Sequence, residues 1–218
     1  MVNQRGQATG SAAGRALSWD GRGPGTWSSS RRCCRTGWWA LRRVCYEEPM
    51  PPGILADLDF SRWEEPEPTT DLRRGLEQWL RYQRHEFLRK LRDLTPDGLV
   101  QWSVPPLELS VLGLVRHMTQ MEHVYLGWGL GGGERNLIYG DDDYAGGSVV
   151  TVEADLTAYL AEIERANRAI AALPSLESPG VGHGRPLAAT LLKMIDEYAL
   201  HSGQAHMLRF AALGKIIR

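Results

Sequence analysis

The 218-residue chain carries 25 Lys and Arg against 26 Asp and Glu, a formal net charge of −1, and 43% of its residues are hydrophobic. That suffices for one globular domain with a core of its own and is thin for two. No apolar run reaches the roughly 18–20 residues that span a bilayer, and the N-terminus lacks the apolar stretch of a secretory signal, so the sequence reads as that of a soluble, cytoplasmic protein.

Residues 1–49 stand apart. They hold eight Arg and three acids, a net of +5, so the remaining residues carry −6. They also hold all three Cys (Cys33, Cys34, Cys45) and four of the eight Trp, with no sustained period of 3.6 or 2.0. The segment reads as a disordered extension, upstream sequence translated ahead of a true start at Met50. The competing reading is a basic arm for nucleic acid or another anionic surface. The cysteines match no zinc spacing, and with none after Cys45 the folded part has no cysteine nucleophile.

Residues 50–70 are rich in proline and read as an extended lead-in. Thr70 is the expected N-cap of a first helix over 71–94, with Asp71 in its first turn. Its stripe is Leu72, Leu76, Trp79, Leu80, Phe87, Leu91 and Leu94, broken by Gln83 and Arg84. Thr95-Pro96-Asp97-Gly98 is a turn signal. Pro105-Pro106 delays the second helix to 108–127. Its stripe is Val111, Leu114, Met118, Met121 and Tyr125, flanked by Ser110, His117 and Val124, and it is expected to dissolve in the glycine run from Gly127.

A polar stretch, 128–151, leads to a third helix marked by Leu156, Tyr159, Ile163, Ala166, Ile170 and Leu173 and ended by Pro174. A Gly/Pro loop over 175–186 precedes the fourth. That helix carries Leu187, Leu191, Met194, Tyr198, His201, Ala205, Leu208 and Ala212, with Gly214 as its stop. No cluster reads as a strand. Four amphipathic helices of about 20 residues are best buried together as an all-α four-helix bundle over 71–214. The connection between helices two and three is long enough to cross the bundle, which lets them run parallel in an up-down-down-up order.

Chemistry concentrates on two helices. Glu197 and His201, four residues apart, share one helix face with Cβ atoms roughly 5–6 Å apart. His117 lies in the apolar stripe of helix two. Alone, each histidine reads as a core residue satisfied by a hydrogen bond, and Glu197 as a boundary carboxylate paired with an Arg. Together, two His and a carboxylate on facing helices are how bundle metal sites are built, with coordination positions left open. Gln204, three residues past His201, is placed to hydrogen-bond it from behind. His85, His123, His183 and His206 read as surface histidines, and Asp141-Asp142-Asp143 as a solvated loop. The glycine run 127–133 follows a helix and lacks the Lys-Ser/Thr of a phosphate loop.

SVLGLVRHMTQMEHVYLGW and MIDEYALHSGQAHMLRF resemble the two signatures of the DinB/YfiT-like superfamily of metal-binding four-helix proteins: a central His ligand followed by Glu and aromatics, and a ligand, three residues, His, then Gly-Gln. The resemblance covers about 71–212 and leans toward the actinobacterial mini-circle branch, of unknown function. Many members carry His where this chain has Glu197; the Glu form is similar to the His-Glu-His zinc site of mycothiol-dependent maleylpyruvate isomerase.

The resemblance implies an up-down-down-up bundle, frequent homodimers, and a divalent metal on His117, Glu197 and His201. That metal is zinc before nickel, iron or manganese. It also implies a low-molecular-weight thiol and an electrophile as partners, the metal activating the thiol for S-transfer or isomerisation. The alternative is a non-enzymatic metal- or ligand-binding bundle in stress response.

Overall fold

The computed structural model describes residues 65–214. The expectations for 1–49, and those for 50–64 of the lead-in, lie outside the described residues; 65–70 carry no regular structure. The described residues are helical, with no strand beyond two isolated bridges, and no helix among them is long and apolar enough to cross a membrane.

Helix α1 spans Leu72–Arg89. Its N-cap is Asp71, whose carboxylate accepts from the Arg74 amide at 3.1 Å, rather than Thr70. The helix stops at Arg89, short of 94, and the chain turns through Asp93 at φ 64°. Leu91 and Leu94 remain buried, so the apolar stripe continued while the helix did not. Thr95-Pro96-Asp97-Gly98 begins a short helix, α2 (Pro96–Val100), with Thr95 as N-cap and Pro96 in its first turn, where a missing amide costs nothing.

Helix α3, Val111–Met121, starts at Ser110, whose hydroxyl accepts from the Gly113 amide. It then widens into a π-type segment, Glu122–Gly127, and ends in one α-turn, α4 (Trp128–Gly131). The wider turn shifts the phase of the buried face. Met118, Glu122, Leu126 and Leu130, four apart, are buried, and Tyr125 moves to the boundary.

The helix also continues through the glycines where it was expected to dissolve. Its last carbonyls are satisfied by the 180s loop: Val181 N–H donates to Leu130 O, and the Gly182 and His183 amides to Gly129 O. The approach needs glycine on both sides. A Cβ on Gly129 would lie 2.4 Å from the His183 ring, and one on Gly182 would lie 2.4 Å from Trp128 O.

A single 3₁₀ turn, Val149–Thr151, leads into α5 (Val152–Ala172), and α6 spans Leu187–Ala212. Three contacts give the helix order. Arg73, at the start of α1, donates to Leu173 O and Ile170 O at the end of α5, at 2.7 and 3.0 Å. Arg209, near the end of α6, donates to Asp93 at 2.8 Å, just past the end of α1. Arg116, in the first third of the continuous helical run 111–131, and Asp155, in the first turn of α5, pair at 3.2 Å. So α1 and α6 run one way, α3 and α5 the other: an up-down-down-up bundle. Its core sets Phe87 between Tyr159 and Tyr198, tilted to the first and edge-on to the second, with ring centroids 5.9 and 5.8 Å away.

Candidate metal centre

His117 sits near the middle of α3, and Glu197 and His201 flank the middle of α6. Those helices pack against each other, so the two middles lie side by side. One ligand atom from each of the three residues falls within 4.8 Å of the others. Glu197 Oε2 is 3.2 Å from His201 Nε2 and 3.9 Å from His117 Nε2. The two imidazoles meet edge to face, centroids 4.6 Å apart. The side chains are 12%, 14% and 6% exposed for His117, Glu197 and His201, so the cluster is screened from water without being sealed.

Each ring is held from behind. His201 Nδ1 lies 2.7 Å from Gln204 Oε1, as the spacing on helix four anticipates. His117 Nδ1 lies 3.0 Å from Asp143 Oδ2. Both arrangements turn Nε2 toward Glu197. The other oxygen of Glu197 is gripped by Lys193, one turn earlier on α6. Two imidazole nitrogens and one carboxylate oxygen, converging with their outer faces hydrogen-bonded, fit a divalent ion that keeps open positions.

The electrostatics agree with that donor set. Burial pushes the His117 pKa below the usual imidazole value, against the pull of Asp143, so the ring is neutral at neutral pH and has a lone pair to offer. Burial would raise Glu197, but Lys193 and the two histidines outweigh it and hold the carboxylate below its ordinary range. Tyr144 stacks on His117, centroids 4.3 Å apart and planes 13° from parallel. Burial, then the charges of Asp143 and Glu197, push its phenol up to about 12, so it stays a protonated hydrogen-bond donor.

Several sequence expectations change. Asp143 does not belong to a solvated loop: it is 5% exposed, unlike the exposed Asp141 and Asp142. His123 is not a surface residue. The π segment turns it inward, where Nδ1 meets Glu162 Oε2 at 3.2 Å. His183 is half-buried, its Nε2 donating to Tyr125 O at 3.0 Å. His206 is half-buried too, edge-on to Phe210, and neither it nor the half-buried His85 joins the triad. Arg84, read as a break in a stripe, is buried against Glu122.

Asp143, Tyr144 and Lys193 were missed as parts of the site. Lys193 had a signal, the i, i+4 spacing to Glu197. The other two come from a loop that no periodicity reaches.

No curated protein and no solved structure significantly matches this chain. The family model described as mycothiol-S-transferase does, over residues 75–214. That range runs from the first turn of α1 past the end of α6 and takes in all three converging residues. With well over half of its length inside that match, the chain belongs to the mycothiol S-transferase family.

Proposed function

We propose that this protein is a metal-dependent enzyme that transfers or isomerises with a low-molecular-weight thiol of the mycothiol kind, using His117, Glu197 and His201 to hold the ion. The observation that carries the reading is the convergence of three ligand atoms within 4.8 Å. Membership of the mycothiol S-transferase family supports it. A divalent ion held there, zinc before nickel, iron or manganese, would supply Lewis acidity that lowers the pKa of a bound thiol.

The residues divide the remaining work. His117 and His201 present Nε2, and Glu197 presents Oε2 while Lys193 occupies its other oxygen. Tyr144 covers one face of His117 and keeps its phenolic proton, a donor for a developing negative charge on a thiol or electrophile. The activity resides in the bundle of residues 71–214, and residues 1–49 take no part in it.

Elemental analysis of protein purified without an affinity tag tests the first step, with about one divalent ion per chain expected. Thiol added to the Co²⁺-substituted protein should then change its visible spectrum, and maleylpyruvate or another electrophile should be consumed with the thiol present. Stoichiometric metal with no thiol response favours a non-enzymatic binding module. Protein that is metal-free and cannot be reconstituted sinks both readings.

A further inference from the structure

The crossover between α4 and α5 contains the run Gly140-Asp141-Asp142-Asp143-Tyr144. It is attached to one face of α3 at Gly113, Arg116, His117 and Gln120, the i, i+3, i+4, i+7 positions of a helical stripe. The Tyr139 amide donates to Gln120 Oε1 at 3.1 Å. Gln120 Nε2 donates to Gly140 O and to Asp143 Oδ2, both at 3.0 Å. Arg116 Nε donates to Asp143 O at 3.3 Å. A Cβ at Gly113 would sit 2.5 Å from Tyr144 O, so the loop backbone rests directly on the helix.

The loop thus delivers one buried carboxylate to one ring nitrogen, Asp143 Oδ2 to His117 Nδ1 at 3.0 Å. An ionised carboxylate only accepts hydrogen bonds. A neutral ring facing it carries its proton on Nδ1 and its lone pair on Nε2, the atom that points at Glu197. Gln204 stands in the same relation to His201, but an amide can turn either oxygen or nitrogen to a ring. Asp143 is therefore the partner that permits a single tautomer.

We infer that Asp143 is a positioning residue of the centre, held by Gln120 and Arg116, which sets the His117 tautomer and orientation and so the affinity for a divalent ion. The consequence for affinity rests on the metal reading above; the tautomer does not.

Two measurements test this. The first is ¹⁵N NMR of histidine-labelled, metal-free protein at mildly alkaline pH, where imidazoles are neutral. In the wild type, His117 should be protonated at Nδ1. In Asp143→Ala the two tautomers should mix, and in Asp143→Asn, whose amide oxygen the Gln120 Nε2 donor would hold toward the ring, the wild-type form should be restored. The second is Zn²⁺ affinity by chelator competition. Asp143→Ala should bind about 10–100-fold more weakly, the usual loss for an outer partner of a ligating His, with Asp143→Asn in between and Asp141→Ala unchanged. A purely structural role would not move the tautomer or be rescued by Asn.

A wild-type His117 protonated at Nε2 overturns the inference. So does wild-type zinc affinity in folded Asp143→Ala, and the metal reading then survives. If the wild type takes up no zinc, the metal reading fails and the tautomer alone decides the role of Asp143. Should Asp143→Ala not fold, the wild-type tautomer and the zinc affinity of Asp143→Asn decide it.

Discussion

Arg84 holds both carboxylate oxygens of Glu122 inside the bundle, Nε to Oε1 at 2.8 Å and Nη2 to Oε2 at 2.7 Å. The side chains are 7% and 0% exposed. Burial alone would weaken the Arg84 charge; the Glu122 carboxylate outweighs it and holds the guanidinium above its ordinary pKa. Asn167 takes a third Arg84 bond, and the Tyr198 hydroxyl donates to Glu122 at 2.6 Å. The network ties α1, the π segment, α5 and α6 together.

Removing one partner leaves a buried charge uncompensated. Arg84→Met should cost about 3–5 kcal/mol of folding stability, whereas Arg84→Met with Glu122→Leu should recover much of that loss. Urea denaturation of the wild type, Arg84→Met, Glu122→Leu and the double variant measures both. If the double variant is as unstable as the sum of the singles, the cost lies in lost packing rather than in the orphaned charge.

His117→Ala, Glu197→Ala and His201→Ala should each reduce bound zinc by more than the roughly 10–100-fold expected for an outer partner, with cooperative thermal unfolding retained. His85→Ala and His206→Ala should leave metal content unchanged. Equal metal uptake by all five variants would place the ion elsewhere.

The His117 shift makes a prediction about acid. Its folded pKa is depressed, chiefly by burial, so the unfolded chain takes up the proton more readily than the folded one. The stability tied to a neutral ring is fully present above the unfolded value, about 6.5. It is lost as the pH falls through the lower folded value. Metal-free wild type should therefore lose more stability on acidification through this window than His117→Gln, as read by denaturation at a series of pH values. A difference that does not vary with pH would contradict the assignment.

The helix pattern was legible in the sequence because each amphipathic stripe is a local, repeating signal. The triad was legible for the same reason: Glu197 and His201 are one turn apart, and His117 breaks an otherwise apolar face. What could not be read depends on pairing across the fold. Asp143 meets His117 across 26 positions, and nothing local separates it from Asp141 and Asp142. Arg84 meets Glu122 across 38 positions, and alone looks like a gap in a stripe. The π segment packs on α5 and α6, contacts that no local pattern carries. The glycines after it signal a helix end by propensity, and only the docked 180s loop keeps the helix going.

Two glycines should respond oppositely to alanine. Gly129→Ala would press a methyl into the His183 ring and to 2.6 Å from Val124 O, costing about 1–3 kcal/mol. Gly203, inside α6, has nothing within 4 Å of its would-be Cβ, so Gly203→Ala should gain about 1 kcal/mol from helix propensity. Denaturation midpoints give both signs, and a stable Gly129→Ala protein would show that the two glycine-rich segments are not locked.

Since α3 and α5 run in parallel, the chain must return along the whole bundle between them, and that obligatory return carries Asp143 to His117. The return therefore divides by tolerance to insertion. Residues 134–137 are exposed and, apart from Arg135 lying over the Trp128 ring, are tied to no helix by any hydrogen bond among the described residues, which suits them to accept a tag or a grafted peptide. A few positions later, at 139–144, the same insertion would uncouple the acceptor from the ring it orients. For anyone attaching a reporter to this protein, the safe and the damaging positions lie within one crossover connection.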